Sequence, residues 1–186
     1  MRKYYPDTSD EWDPDWPSPK GKPVTISIFV DADHASNTED RRSISAMIIF
    51  IGSVPYRWFF KRQTSLEHST FGAEFAAMRV AVEEAVSAVH TLRSIGVPAN
   101  MPVRIFGDNK SVMDKSTLPG SVLKKKWLSI AYHKCQSNIA NKLIQIYHID
   151  GKENPAEFLT KSLPACEFRK ILSSQCLDRD CAHLTV

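Results

Sequence analysis

The sequence lacks several features that would define other classes of protein. It contains no apolar run near eighteen residues and no signal-peptide pattern, so we expect an intracellular protein without a membrane partner. The four cysteines form no CxxC pair, and the spacing of Cys176, Cys181 and His183 fits no common zinc module. We therefore expect reduced thiols rather than a disulfide framework or a zinc site.

A strong overall charge is also absent, because 24 basic and 21 acidic side chains leave a net charge of only +3. The distribution of charge is less even. Between Lys110 and Lys142 there are seven lysines and one acid, Asp114. This surplus predicts either a patch for a polyanion such as a nucleic acid or an ordinary solvated lysine face.

The apolar pattern divides the chain into three parts. Residues 1–23 hold five prolines and five acids without an apolar period, which predicts a linker or an extended arm. Residues 24–164 carry the pattern of one folded domain. Residues 165–186 form a tail, in which we expect one short helix near residues 168–172.

Within the central part, the pattern predicts a mixed α/β domain. Short runs rich in β-branched and aromatic residues predict strands over residues 24–30, 44–51, 56–61, 103–106 and 143–149. Apolar residues at steps of three and four predict helices over residues 71–93, 110–115, 122–140 and 155–161. Three early strands followed by alternating helices and strands indicate a mixed sheet with helices packed on its faces.

Glu74 is out of place on the apolar face of the predicted helix 71–93. It lies three residues after Phe71 and four before Met78, so it shares their face. A carboxylate that faces a core is costly unless a proton, a hydrogen-bond partner or a cation compensates it. A capping-box glutamate would sit three residues after the N-cap, and neither Ser69 nor Thr70 gives that spacing. An end-of-helix charge near solvent is the remaining structural interpretation.

Three further acids lie where predicted elements meet turns. Asp31 follows the first strand, Asp108 follows the fourth, and Glu157 begins the last helix. Singly, they are explained as a turn former, a helix cap and a favourable charge at a helix N-terminus. Together with Glu74 they predict a magnesium site, because hard cations take carboxylate ligands. Two such ions ~4 Å apart stabilise the attacking and leaving oxygens of phosphodiester hydrolysis.

Eight short motifs occur in one order along the central part of the chain. They are FVDADHA (29–35), RRSISA (41–46), KRQ (61–63), STFGAEFAAM (69–78), GDNKSV (107–112), LKKK (123–126), AYH (131–133) and NPAEFLTK (154–161). Their content and order resemble the ribonuclease H domain that closes the polyprotein of copia-type LTR retrotransposons, C-terminal to the reverse transcriptase. The proline-rich start resembles the connection between the two domains.

This resemblance implies a ribonuclease H-like fold: a five-stranded mixed sheet, three antiparallel strands then two parallel, with helices on both faces. It implies that Asp31, Glu74, Asp108 and Glu157 are catalytic and hold two Mg²⁺ ions, for which Mn²⁺ substitutes. His148 lies where related enzymes keep a histidine that helps product leave; a histidine at a strand end is the alternative. Glu157 departs from the family pattern NPADxLTK, which leaves open whether the longer side chain supports activity.

The resemblance also implies a substrate, partners and a location. The substrate is an RNA–DNA hybrid, whose A-like minor groove displays 2′-hydroxyls on one strand; its RNA strand would be cut during reverse transcription. The candidates for contact with phosphates or sugars are Arg41, Arg42, Asn109, Lys124, Lys125 and Lys126. The implied protein partner is the reverse transcriptase domain of the same polyprotein, and the implied location is the cytoplasm, in a virus-like particle, or the nucleus. The alternative is a catalytically impaired module that binds nucleic acid or supports a reverse transcriptase domain.

Overall fold

A computed structural model describes residues 13–34, 42–64, 69–117 and 126–161, together with Cys166 and Arg169. Cys135 is a buried free thiol and Cys166 an exposed one. Among the described residues, no helix combines the length and apolar character that crossing a membrane requires.

One mixed sheet of five strands, in the order β3-β2-β1-β4-β5, forms the centre of the domain. Along the chain the strands are β1 (Val24–Asp33), β2 (Ile44–Ile51), β3 (Val54–Arg62), β4 (Ala99–Gly107) and β5 (Ile144–His148). The first three strands pair antiparallel, whereas β4 pairs parallel with β1 and β5 pairs parallel with β4. The predicted five-stranded mixed sheet is confirmed.

Four helices complete the described part of the domain: α1 (Thr70–Ser94), α2 (Lys110–Thr117), α3 (Lys126–Ala140) and α4 (Glu157–Thr160). A turn of 3-10 helix, Gly151–Glu153, precedes α4. The residues predicted to begin α3, 122–125, lie outside the described part, as does the predicted tail helix apart from Arg169.

Three strands are longer than the sequence pattern predicts: β3, which spans Val54–Arg62 rather than residues 56–61, and β1 and β4, which are extended by pairing with distant strands. β1 does not end before Asp31, because antiparallel pairing with β2 continues through Asp31↔Ala46 to Asp33↔Ile44. β4 begins at Ala99 rather than residue 103, because its first residues pair with the start of β1, as in Val24↔Ala99. In both places, pairing with a distant strand extends a segment whose local sequence is polar or contains proline.

The predicted last helix, by contrast, is shortened at both ends to the four residues of α4. The side chain of Asn154 accepts a hydrogen bond from the backbone N–H of Ala156 at 3.0 Å, so residues 155 and 156 form a turn that precedes the helix.

Alternating side chains of β1 contact helices on opposite faces of the sheet. Ile26, Ile28 and Val30 belong to the large core with residues of α1, α2 and α3. Phe29 belongs to a smaller core on the other face, against which residues of α4 pack. There its ring stacks on Phe106 with centroids 4.9 Å apart. The predicted arrangement of helices on both faces is confirmed.

The end of the proline-rich arm lies against the C-terminal end of α1. The backbone N–H of Lys20 donates to the carbonyl of Gly96 at 2.9 Å. The ring of Trp16 meets the ring of His90 edge to face, with centroids 5.5 Å apart. Residues 13–23 are therefore tied to the domain by contacts with α1 and the turn after it.

We expect Phe75→Ala to lower the free energy of unfolding by about 3–5 kcal/mol, because Phe75 is fully buried in the large core and its truncation leaves a cavity. The matched control is Phe60→Ala on β3, where the side chain is 65% exposed, and the expected loss is about 0.5 kcal/mol or less. Urea denaturation measures both losses. Equal losses would contradict this assignment of the core.

Candidate metal centre

Three carboxyl groups from separate elements converge at one edge of the sheet. Asp31 lies in β1, Glu74 in α1, and Asp108 directly after β4. One carboxylate oxygen from each lies within 4.8 Å of the other two. The structure therefore brings together three of the four predicted metal ligands.

The register of β1 and β4 accounts for two of these positions. The strands are parallel neighbours in which Phe29 pairs with Phe106. Asp31 and Asp108 each lie two residues beyond that pair, so they reach the same edge of the sheet. Asp31 is only 5% exposed, which its alternative interpretation as a turn former does not explain.

The third position depends on how α1 begins. Ser69 is the N-cap, and its side chain accepts from the backbone N–H of Gly72, so Glu74 is not a capping-box residue. The buried side chain of Gln63 donates through Nε2 to the carbonyl of Ala73 at 2.8 Å and to Oγ of Ser45 at 2.7 Å. These bonds tie the residue before Glu74 to the residue that follows β3 and, through it, to β2.

The electrostatics of the three acids are unfavourable without a cation. Burial, with the nearby charges of Asp108, Asp31 and Asp33, raises the pKa of Glu74 from an ordinary 4.5 to about 9. Burial also raises the pKa of Asp31 and of Asp108. Oδ1 of Asp108 is buried without a hydrogen-bond partner in the described structure. Three carboxylate groups, one of which has a buried oxygen without a hydrogen-bond partner, are a set of oxygen ligands that fits a hard divalent cation.

Glu157 stands beside this group without joining it. Its charge raises the pKa of both Asp31 and Asp108, yet its own Oε1 forms an ion pair with Nζ of Lys161. Gly151 lines the gap, since a Cβ there would lie 3.4 Å from Oδ2 of Asp108 and 3.7 Å from Oε1 of Glu157. A side chain at residue 151 would therefore fill the space between the two carboxylates.

His148 lies at the rim of the acidic group. Nε2 of the exposed ring is 3.0 Å from the backbone carbonyl of Asp108. The position agrees with the expectation of a histidine near the site, and its role in product release stays a prediction.

The predicted nucleic-acid contacts are described only in part. Arg42 is partly buried beside β2. Asn109 accepts through Oδ1 from the backbone N–H of Val112 at 3.2 Å, so it caps the start of α2. Arg41, Lys124 and Lys125 lie outside the described residues, and only the backbone of Lys126 is described. Their contacts with nucleic acid stay predictions.

A basic cavity beside the first half of α1 was not predicted. It lies between β3 and α1, has a volume of about 130 Å³, and includes Lys61, Arg62 and Arg79 in its lining. Gln63 also lines it, and Oε1 of Gln63 is buried without a hydrogen-bond partner in the described structure. The motif KRQ at residues 61–63 was the available signal, but the contribution of α1 depends on tertiary packing.

We expect Glu74→Gln to stabilise the metal-free protein at neutral and alkaline pH. A glutamate that titrates near 4.5 when unfolded and near 9 when folded binds its proton more tightly in the folded state. The free energy of unfolding should therefore fall as the pH rises through that window. Denaturation in EDTA from pH 5 to 9 should show a flatter profile for Glu74→Gln, and parallel profiles for the two proteins would contradict the burial of this charge.

The sequence of the chain is similar to short segments of two transposon polyproteins. No family model matches the chain. The chain is 24% identical over 150 residues to the retrovirus-related Pol polyprotein from transposon RE2 of Arabidopsis thaliana, covering 81% of this chain and 10% of the polyprotein. It is 25% identical over 148 residues to that from transposon TNT 1-94 of Nicotiana tabacum, covering 80% and 11%. The chain thus spans about a tenth of the length of these curated relatives.

Solved structures agree at the level of the fold. The N-terminal ribonuclease H domain of rv2228c from Mycobacterium tuberculosis superposes with a TM-score of 0.53 at 12% identity, covering 81% of this chain and 98% of that chain. LC11-RNase H1, solved in complex with an RNA/DNA hybrid, gives a TM-score of 0.51 at 14% identity, covering 70% and 88%. The predicted fold and the predicted resemblance to transposon polyproteins are both confirmed. The chain has the ribonuclease H-like fold and is similar in sequence to a segment of the retrovirus-related Pol polyproteins of plant transposons.

Proposed function

We propose that this domain is a divalent-cation-dependent ribonuclease H that cuts the RNA strand of RNA–DNA hybrids during retrotransposon reverse transcription. The observation that carries the proposal is the convergence of Asp31, Glu74 and Asp108 within 4.8 Å on a ribonuclease H-like fold. The polyprotein relatives supply the context of reverse transcription, and the hybrid bound by LC11-RNase H1 supplies the class of substrate. The proposed partner is the reverse transcriptase domain of the same polyprotein, in a virus-like particle or in the nucleus.

The proposed cofactor is Mg²⁺, with Mn²⁺ as a substitute and two ions per site. Asp31, Glu74 and Asp108 would hold the cation, because one carboxylate oxygen of each lies within 4.8 Å of the other two. When bound, a pair of such ions stabilises the attacking and leaving oxygens of an in-line displacement.

The chain's own residues hold the acids in place. The hydroxyl of Thr160 donates to Oδ2 of Asp31, which fixes the orientation of that carboxylate. Asn154 is buried and donates through Nδ2 to the carbonyl of Val30 at 2.9 Å. Through this bond, the loop before α4 is attached to β1 one residue before Asp31. The motif NPAEFLT thus supports the centre from the face of the sheet opposite α1.

We propose that the basic cavity positions the substrate. Lys61 and Arg62 reach the cavity from β3, and Arg79 reaches it from α1, where its guanidinium also pairs with Glu83 at 3.1 Å. Their charges would bind phosphates of the hybrid, which positions a duplex without reading its sequence. Binding should therefore be weakly sequence-specific and steeply dependent on salt.

A second candidate function is hybrid binding without cleavage. It is favoured by one observation: Glu157 is paired with Lys161 and stands apart from the three-acid group. If that arrangement persists with substrate, the fourth predicted ligand does not contribute to the centre.

We expect the protein to cut the RNA strand of an end-labelled RNA–DNA hybrid in Mg²⁺ or Mn²⁺. Asp31→Asn, Glu74→Gln and Asp108→Asn should each lower the rate by about a hundredfold or more, because even residues that only support metal ligands cost 10–100-fold when changed. The matched control is Asp114→Asn, which alters an exposed acid on α2 and should leave the rate unchanged.

Wild-type turnover in any of the three acid variants would contradict the assignment of the site. A folded wild-type protein that binds hybrid but cuts it with neither metal would instead support the second candidate.

A further inference from the structure

Lys161 places an ammonium group beside the three-acid group. It is the first residue after α4, and its Nζ forms an ion pair with Oε1 of Glu157, one helical turn earlier. The ammonium also acts on the other acids: the charges of Asp31 and Asp108 contribute to a raised pKa of Lys161, after its hydrogen bond with Glu157. In the other direction, burial raises the pKa of Asp108, and the charge of Lys161 partly opposes that rise. Lys161 is therefore coupled to the centre as well as to its direct partner.

The backbone around this ion pair is fixed by the same turn of helix. The backbone N–H of Lys161 donates to the carbonyl of Glu157 at 3.1 Å. The intervening Thr160 donates to that carbonyl at 2.9 Å and also to the carboxylate of Asp31. Glu157 and Lys161 are consequently presented to the centre together, on one short element.

The ion pair contributes little to folding. The side chain of Lys161 is 57% exposed and that of Glu157 is 25% exposed. Exposed pairs of this kind typically stabilise a protein by about 0–1 kcal/mol. The effect of Lys161 on the binding of a cation should be larger than its effect on folding. Its ammonium neutralises a carboxylate ligand and also repels an incoming positive charge.

We propose that Lys161 is a positioning residue that holds Glu157 away from the three-acid group and thereby lowers the affinity of the centre for divalent cations. The inference rests on the proposed function, since it takes the three acids to be a metal site. The first divalent cation then binds at Asp31, Glu74 and Asp108. Glu157 becomes a ligand only when its ion pair with Lys161 is broken.

Titration calorimetry with Mg²⁺ alone, in the absence of nucleic acid, tests this proposal. We expect Lys161→Met to bind Mg²⁺ about tenfold more tightly than the wild type, the order of effect expected for removing one nearby like charge. Lys161→Arg keeps the charge and should retain wild-type affinity. In a Glu157→Gln background, Lys161→Met should raise the affinity by a smaller factor than in the wild type, because only the direct repulsion between the ammonium and the cation is then removed.

Two controls separate this proposal from the proposed function. Lys142→Met removes an exposed lysine at the end of α3 and should not change affinity. Asp31→Asn should abolish Mg²⁺ binding; if it binds as the wild type does, the metal centre itself is refuted. If Asp31→Asn abolishes binding but Lys161→Met binds no more tightly than Lys142→Met, the role of Lys161 is refuted and the centre stands.

Discussion

Mutual repulsion among three carboxyl groups, one buried and two partly buried, is the constraint on which the rest of this structure depends. The groups lie within 4.8 Å of one another, and burial raises the pKa of each. Nothing in their own chemistry favours this arrangement without a proton or a cation. The parallel register of β1 with β4 and the attachment of α1 through Gln63 hold them together. The two cores on either side of the sheet supply the stability that offsets the cost.

Residues of the NPAEFLTK motif show how one short segment can serve both fold and site. Asn154 bonds to β1 and starts the turn, Phe158 packs on the small core, and Thr160 bonds to Asp31. Glu157 and Lys161 add one charge of each sign at the edge of the centre. Asn154 and Thr160 therefore hold β1 and Asp31 in place, whereas the charges of Glu157 and Lys161 would change the electrostatic potential at a bound cation.

The sequence allowed the sheet, its main helices and the acidic group to be predicted, since each left a local signal. Glu74 was identifiable because it interrupts an apolar stripe, and Asp108 because it follows a short apolar strand. What could not be predicted depends on contacts between distant segments. β1 continues past Asp31 only because β2 pairs with it. The basic cavity combines side chains from β3 and α1, and the pairing of Glu157 with Lys161 depends on where a four-residue helix ends.

The most direct test of the central constraint is the free energy of unfolding at pH 8, measured in EDTA and in Mg²⁺. The wild type is compared with a triple variant carrying Asp31→Asn, Glu74→Gln and Asp108→Asn. We expect Mg²⁺ to stabilise the wild type by an amount that grows with its concentration, and to leave the triple variant unchanged. In EDTA, the triple variant should be the more stable of the two. Equal stabilisation of both proteins by Mg²⁺, or of neither, would contradict a cation site built from these three acids.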